Sequence, residues 1–484
     1  MKKIWAVALF SALVLCAAAL WFGALNQDEG WYLYAARMVS EGKLPYRDFS
    51  YTQGPLMPVV YSAFSWIWKA WGLLGARVFT LLVGLSGVVF TLATVRREIA
   101  GREVRSFVML AVFVLLGCNL YHLYYLAIPK TYALAWLFLS IGFFLLSLSE
   151  SRRRYVVPAA VALAFSAGVR ISLGAVLAAV GVSLLVRRRW MDAVLFAAGG
   201  AIALMLVYGP FLFDAAFREG LIAAQSYHAS RGGGDIAWAL GSLSRLVRWY
   251  LPVFILLGMG FTARVSPFIR TIAFSFAAVF AVQMAAPFPY EDYQVPVMPL
   301  LAVYAAVKFA GSSVSLPLAP WRPSLLVLGI TCACSFGSPL LEKWMTNGQD
   351  RFWTVKKEKS ELAQLREVAA RIEAMDPGGK DLLTQDLYLA IETGRRVPQG
   401  LEMGPFAMLS DEQWRRLLDG APCRIAALSG YSFAIEPPRC NERPVEQQME
   451  YWNILKNRYR FVDREEMFGQ NATTLIILER KPAE

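Results

Sequence analysis

Hydrophobic positions along this chain fall in long unbroken blocks rather than in short alternations, and that pattern predicts a polytopic α-helical membrane protein. The first block, Ile4 to Leu25, follows Lys2-Lys3 and is about twenty residues long, beyond the roughly 7 to 15 of a signal-peptide core, so it reads as an uncleaved first span. Further blocks lie near 76–95, 106–121, 130–148, 156–169, 172–186, 191–211, 249–263, 271–287, 295–310 and 323–340, which makes about eleven spans with the first. Basic residues punctuate alternate ends: Arg96, Arg97, Arg102 and Arg105, then Arg152 to Arg154, Arg187 to Arg189, Arg264 and Arg270, and Lys308 and Arg322. With that count these clusters share a face with the N-terminal lysines, which places the N-terminus inside and the C-terminus outside.

The expected organisation is a transmembrane module over residues 1–340, with a first external loop at 26–75, and an external soluble α/β domain over 341–484. Within the loop, Leu56 to Trp71 is apolar and aromatic but too short to cross and return, and fits a helix lying on the membrane surface. In the tail, Lys356 to Met375 has helical periodicity, and Asp381 to Asp386, Arg424 to Ser429 and Thr473 to Arg480 read as strands. The tail is long enough to bury its own core.

Composition agrees with a membrane setting. Hydrophobic residues make up 57% and charged residues 17%, against a globular norm of about 25% charged, and the mean hydropathy is +0.43. The net charge of +12 then reflects topology and attraction to anionic lipid, and with no DNA-binding motif present nucleic acid is not an expected partner. His122 and His228 are the only histidines, and Cys332 and Cys334 sit in an apolar block without histidine companions, so neither set reads as a metal site. No cofactor is expected, with a divalent metal left open. Cys423 and Cys440, alone in the external domain, are candidates for a disulfide or for two separate thiols.

The densest candidate chemistry follows the first span: Asp28-Glu29 opens the run DEGWYLYAARMVSEGKLPYRDFSYTQGPLMPVVY, which ends at Tyr61. This run resembles the first external loop of polyprenyl-phosphate-sugar glycosyltransferases of the C-type membrane fold, among them protein O-mannosyltransferases and aminoarabinose transferases. The resemblance extends more weakly along the chain, through the odd span number, Tyr293-x-x-Pro296-x-x-Pro299 and the outward C-terminal domain. It implies an enzyme of the plasma (inner) membrane that moves a sugar from a polyprenyl-phosphate carrier to a hydroxyl of a glycolipid, glycan or protein on the external face. A lipid-linked sugar transporter or flippase, or a noncatalytic polysaccharide-assembly protein, is the alternative.

Attack on an anomeric carbon requires the acceptor hydroxyl to lose a proton, and a carboxylate beside the membrane is a suitable base. Asp28, at the first acidic position of the resembling loop, is the candidate base; Glu29 would orient the acceptor or share the proton, with Asp48 in reserve. Both acids would also suit the first turn of a helix for structural reasons alone. The departing lipid phosphate needs cations against its growing charge. External Arg37, Lys43, Arg47, Lys130, Arg170, Arg218, Arg231, Arg245 and Arg248 are candidates, Lys130 and Arg170 foremost because each stands in a short turn between apolar blocks. Tyr293 or Asp292, before the prolines, could touch donor sugar or phosphate. Many members of the resembling family carry a basic residue where Gln53-Gly54-Pro55 stands here and an acid between the third and fourth spans, where this chain offers Tyr121, His122, Tyr124, Tyr125 and Lys130.

Overall fold

The apolar blocks fold as helices in the computed structural model, which describes residues 2–101, 104–220, 236–286, 289–312, 321–336, 359–407, 409–430, 445–470 and 472–482. The chain divides into two compact units. The first comprises Met1–Leu20, Thr52–Met57 and Phe79–Leu340; the second comprises Trp21–Tyr51, Pro58–Val78 and Leu341–Glu484. The second unit therefore takes in most of the expected first loop together with the tail. Cys440, Arg231, the Gln225 to Asp235 segment with His228, and Asn471 lie outside the described residues.

Within the first unit, helix α1 (Lys2–Phe22) packs Ile4, Ala8 and Ala12 against Leu110, Val114 and Cys118. Small residues on one stripe let two apolar helices approach closely, which is how helices associate where lipid offers no hydrophobic gain. After α2 (Gln27–Ser40) and α3 (Leu56–Ser62) comes the long α4 (Ser65–Glu98), interrupted at Gly72. The block near 106–121 becomes two helices, α5 (Arg105–Gly117) and α6 (Leu120–Ala127), bent by 58°. Then follow α7 (Thr131–Ser149), α8 (Val156–Val169), α9 (Gly174–Val186) and α10 (Trp190–Tyr208). Next, α11 (Ile236–Trp249) and α12 (Leu251–Met259) meet at 76°. Helices α13 (Pro267–Met284), α14 (Met298–Ala310) and α15 (Trp321–Phe336) follow.

Length and composition qualify five of these helices to cross a membrane, or seven if each bent pair counts as one span. Eleven is not reached on that measure because α8, α9, α14 and α15 are each shorter than 18 residues and two blocks are broken. Both breaks have identifiable causes. Asn119 caps α6 by accepting from the His122 amide at 3.0 Å, and Pro252 enters the first turn of α12, where its missing N–H costs no helical bond. Asn119 also donates to the Trp249 carbonyl at 2.9 Å, His122 Nδ1 lies 2.8 Å from the Tyr250 hydroxyl, and Tyr121 stacks on Trp249 at 3.8 Å. The first break thus satisfies a backbone carbonyl at the second, as irregular chain inside an apolar bundle requires.

In the second unit, α16 (Glu361–Met375), α17 (Leu387–Glu392), α18 (Asp411–Gly420) and α19 (Val445–Arg458) accompany a four-stranded sheet. Its strands β1 (Leu382–Leu383), β2 (Ile425–Ser429), β3 (Tyr459–Phe468) and β4 (Thr473–Arg480) run in the order β1-β2-β4-β3. Strands β1 and β2 are parallel; the other pairs are antiparallel. β1, β2 and β4 fall inside the segments read as strands, whereas β3 was not expected. Its sequence, Tyr-Arg-Phe-Val-Asp-Arg-Glu-Glu-Met-Phe, is half charged and mostly exposed, and edge position with charge is a normal way to keep a strand from pairing further. Cys423 is buried beside β2, and desolvation pushes its thiol up to about 12.

Candidate functional site

Helix α2 starts at Asn26, whose side chain accepts from the Asp28 amide at 2.9 Å while Glu29 Oε1 accepts from the Asn26 amide at 2.9 Å. This reciprocal capping box fixes the first turn and with it Asp28. Asp28 Oδ1 accepts from Trp31 Nε1 at 3.1 Å, and the Trp31 ring lies 5.3 Å from Tyr51 and 6.3 Å from Phe406. The half-buried carboxylate is therefore held against an aromatic wall.

Glu29 is fully buried and makes a bidentate pair with Arg77, at 2.9 Å from Nε and 2.7 Å from Nη2. Arg77 spends its remaining reach on the Gly23 and Ala24 carbonyls at 3.0 and 3.1 Å. Both Glu29 oxygens thus face protein donors. Arg77 was missed by sequence reasoning, although an arginine at the head of an apolar block is a recognisable signal.

Other side chains in the second unit fasten α2. Gln27 Nε2 donates to Asp386 Oδ1 at 2.6 Å, the Tyr388 hydroxyl donates to the same oxygen at 2.9 Å, and the Leu25 amide donates to Glu361 at 2.6 Å. Gly30 lies against α17 so closely that a Cβ there would meet the Tyr388 nitrogen at 2.4 Å. Arg37 donates to the Arg395 carbonyl at 2.8 Å and pairs with Glu41. Asp48 closes the turn after α2 by accepting from the Leu44 amide at 2.7 Å, and Arg47 beside it is exposed.

The first unit gathers three more of the expected residues. Lys130 precedes α7, Arg170 ends α8, and Tyr293 belongs to the short 3-10 turn Glu291–Gln294. Lys130 Nζ donates to Asp292 Oδ2 at 2.8 Å, and the Tyr132 hydroxyl donates to that same oxygen at 2.9 Å. Lys130 lies 4.8 Å from the Tyr132 ring centre, and the Arg170 guanidinium lies 5.0 Å from Tyr132 and 4.7 Å from Tyr293. Arg170 also donates to Thr131 Oγ1 at 3.4 Å. Nearby, Arg245 forms a bidentate, internally neutral pair with Glu291, at 3.0 Å for both bonds.

Two buried cations stand together here, Lys130 paired with Asp292 and Arg170 against the Tyr132 and Tyr293 rings, in surroundings where aromatic faces replace water. The N-terminus of α7 adds its amides and dipole at the same place. Such a cluster favours an anion with several oxygens. Tyr132 was missed by sequence reasoning because it reads as one more aromatic residue in an apolar helix. Among the described residues no three His, Cys, Asp or Glu side chains converge to hold a metal ion.

No protein-family model matches the sequence, and no curated protein does. Among solved structures, ArnT from Cupriavidus metallidurans bound to undecaprenyl phosphate aligns over 98% of this chain and 97% of its own, at 15% identity and a TM-score of 0.64. The apo state of that protein aligns over 99% and 98%, at 16% identity and a TM-score of 0.65. The archaeal oligosaccharyltransferase AglB from Archaeoglobus fulgidus, in complex with an inhibitory peptide and a dolichol-phosphate, aligns over 88% and 70% at 10% identity and a TM-score of 0.46. By its full-length likeness to the aminoarabinose transferase structures, this chain has the GT-C membrane fold.

Proposed function

We propose that the protein is a membrane glycosyltransferase that takes a sugar from a polyprenyl-phosphate carrier and places it, with inversion, on a hydroxyl of a glycolipid, glycan or protein at the external face of the plasma membrane. The observation that carries this reading is the buried Lys130–Asp292–Arg170 cluster with its tyrosine faces, which suits a lipid phosphate. The fold supports it, since ArnT in that fold is described bound to undecaprenyl phosphate.

In the proposed step the acceptor oxygen forms its bond to the anomeric carbon as the bond from that carbon to the carrier phosphate breaks. Asp28 receives the acceptor proton, and the electron pair of the broken bond leaves on the phosphate oxygen. Lys130 and Arg170 stabilise that charge as it grows, and Asp292 with Tyr132 keeps Lys130 in place. Tyr293 flanks the Arg170 side of the phosphate. Glu29 and Arg77 act on Asp28 through the capped turn, without touching substrate. Arg47 and Asp48 are assigned to the acceptor side, from their exposed turn. The N-terminus is placed inside, and the 341–484 domain outside.

The test is transfer by the purified protein from a panel of radiolabelled polyprenyl-phosphate sugars into a membrane lipid extract. Asp28→Asn should lower transfer by roughly 10² to 10⁴ while leaving donor binding unchanged. Lys130→Met should weaken donor binding as well. Donor binding without transfer from any carrier would sink the enzyme reading and favour transport or assembly.

A further inference from the structure

A second cationic site lies in the first unit, at the arginine-rich ends of α4, α5 and α7, and is independent of the function proposed above. There a cavity of about 680 Å³ has Arg96, Arg97 and Arg105 on its rim and Ala93, Phe144 and Leu148 as an apolar wall. Its size is that of an ordinary small-molecule pocket.

The charges around it are unevenly settled. At the neighbouring helix ends, Glu150 is held by both Arg187 and Arg189, and Asp192 accepts from Arg153 and Arg189 at 2.7 Å each, so the basic residues there are answered by carboxylates. Around the cavity they are not. Among the described residues, Arg96 and Arg105 have no carboxylate partner, and Arg97 bonds only to neutral oxygens, the Ser147 carbonyl at 3.2 Å and Ser151 Oγ at 2.7 Å. Of the two acids that line the cavity, Glu150 is engaged as above, and Glu98 accepts from Ser266 Oγ at 3.1 Å and interacts electrostatically with Arg97. Three arginines thus face one carboxylate, Glu98, that is not already held by basic residues elsewhere, which leaves positive charge in excess around the cavity.

We propose that this cavity binds the headgroup of an anionic membrane phospholipid, its phosphate among Arg96, Arg97 and Arg105 and the start of its acyl chains along Ala93, Phe144 and Leu148. The combination decides the class of ligand. Cations alone would suit any phosphate, but an apolar wall joined to a cationic rim matches an amphiphile, and arginine forks match phosphate oxygens. Basic pockets between helix ends on the inner side of a membrane are favourable places for acidic lipids.

The experiment uses the full-length protein, stripped of lipid in mild detergent and offered phosphatidylglycerol, phosphatidylcholine or inorganic phosphate, with bound lipid counted by native mass spectrometry. Wild type should retain phosphatidylglycerol over phosphatidylcholine, and Arg96→Gln/Arg105→Gln should lower that retention by about tenfold or more while leaving phosphatidylcholine unchanged. Neither side chain has a described polar partner, so the variant should keep the melting temperature of the delipidated wild type. Should it fail to fold, the single variant Arg96→Gln still reads the site through a partial loss. Unchanged retention in the variants overturns the proposal. Displacement of the lipid by millimolar inorganic phosphate also overturns it, in favour of a free-anion site.

Discussion

Asp28 and Glu29 are adjacent acids with opposite circumstances. Asp28 is half-buried and held by an indole N–H, whereas Glu29 is fully buried in a bidentate ion pair. Breaking a buried pair strands a charge, so Arg77→Met should destabilise the protein by about 3–5 kcal/mol, while Arg77→Met/Glu29→Leu should recover much of that loss, as read by thermal melting. Asp28→Asn should leave the melting temperature nearly unchanged, which separates a chemical role from a structural one. In the cation cluster, Asp292→Asn removes the carboxylate that orients Lys130 and Tyr132, and should raise the KM for donor more than it lowers kcat. Glu402 provides a pH signature. Burial raises its carboxyl above the ordinary glutamate range, so the unfolded state ionises first as pH rises, and stability falls between the unfolded and the raised folded value. Glu402→Gln should therefore flatten the decline in melting temperature above about pH 4.5, with wild type and variant alike at lower pH.

At the scale of elements, α2 is positioned by its ends and by one glycine face. Asn26→Ala removes the cap that accepts from the Asp28 amide and should cost about 1 kcal/mol, with a larger effect on transfer than on stability because the same turn aims the carboxylate. Gly30→Ala would push a methyl into the backbone of α17 and should destabilise by roughly 1–3 kcal/mol. Gly72 breaks α4 with φ of 62°, and Glu392 caps the restarted helix by accepting from the Leu73 amide at 2.7 Å. That break sets the rotation of the turn carrying Arg77, so its conformation matters to Glu29 one step further on. The bent pairs α5–α6 and α11–α12 show the same economy in the first unit, where the Asn119 side chain caps the helix after one break and Pro252 takes a first-turn position that needs no N–H after the other.

For the whole molecule, the second unit is not a tail alone, because Trp21–Tyr51 and Pro58–Val78 belong to it together with Leu341–Glu484. The C-terminal residues Glu361, Asp386 and Tyr388 bond directly to the segment that opens α2. Tyr388→Phe should then lower transfer without altering donor binding, measured as a kcat effect in the reconstituted assay. The hydrophobic blocks, the arginine punctuation and the loop beginning at Asp28 were legible in the sequence because burial in lipid, backbone satisfaction and charge asymmetry each act on consecutive residues. They determined a helical membrane fold and made Asp28, Lys130, Arg170 and Tyr293 candidates. The sequence could not separate Glu29 from Asp28, or join Lys130 to Asp292 and Arg170 to Tyr132, since Asp292 is 162 residues from Lys130 and Tyr132 stands on a different helix from the one Arg170 ends. It also gave no sign that three basic residues surround a cavity, because each arginine near a span end looks alike in one dimension. Only tertiary structure decides which charges find partners, since desolvation and Coulomb attraction depend on distances that folding alone creates.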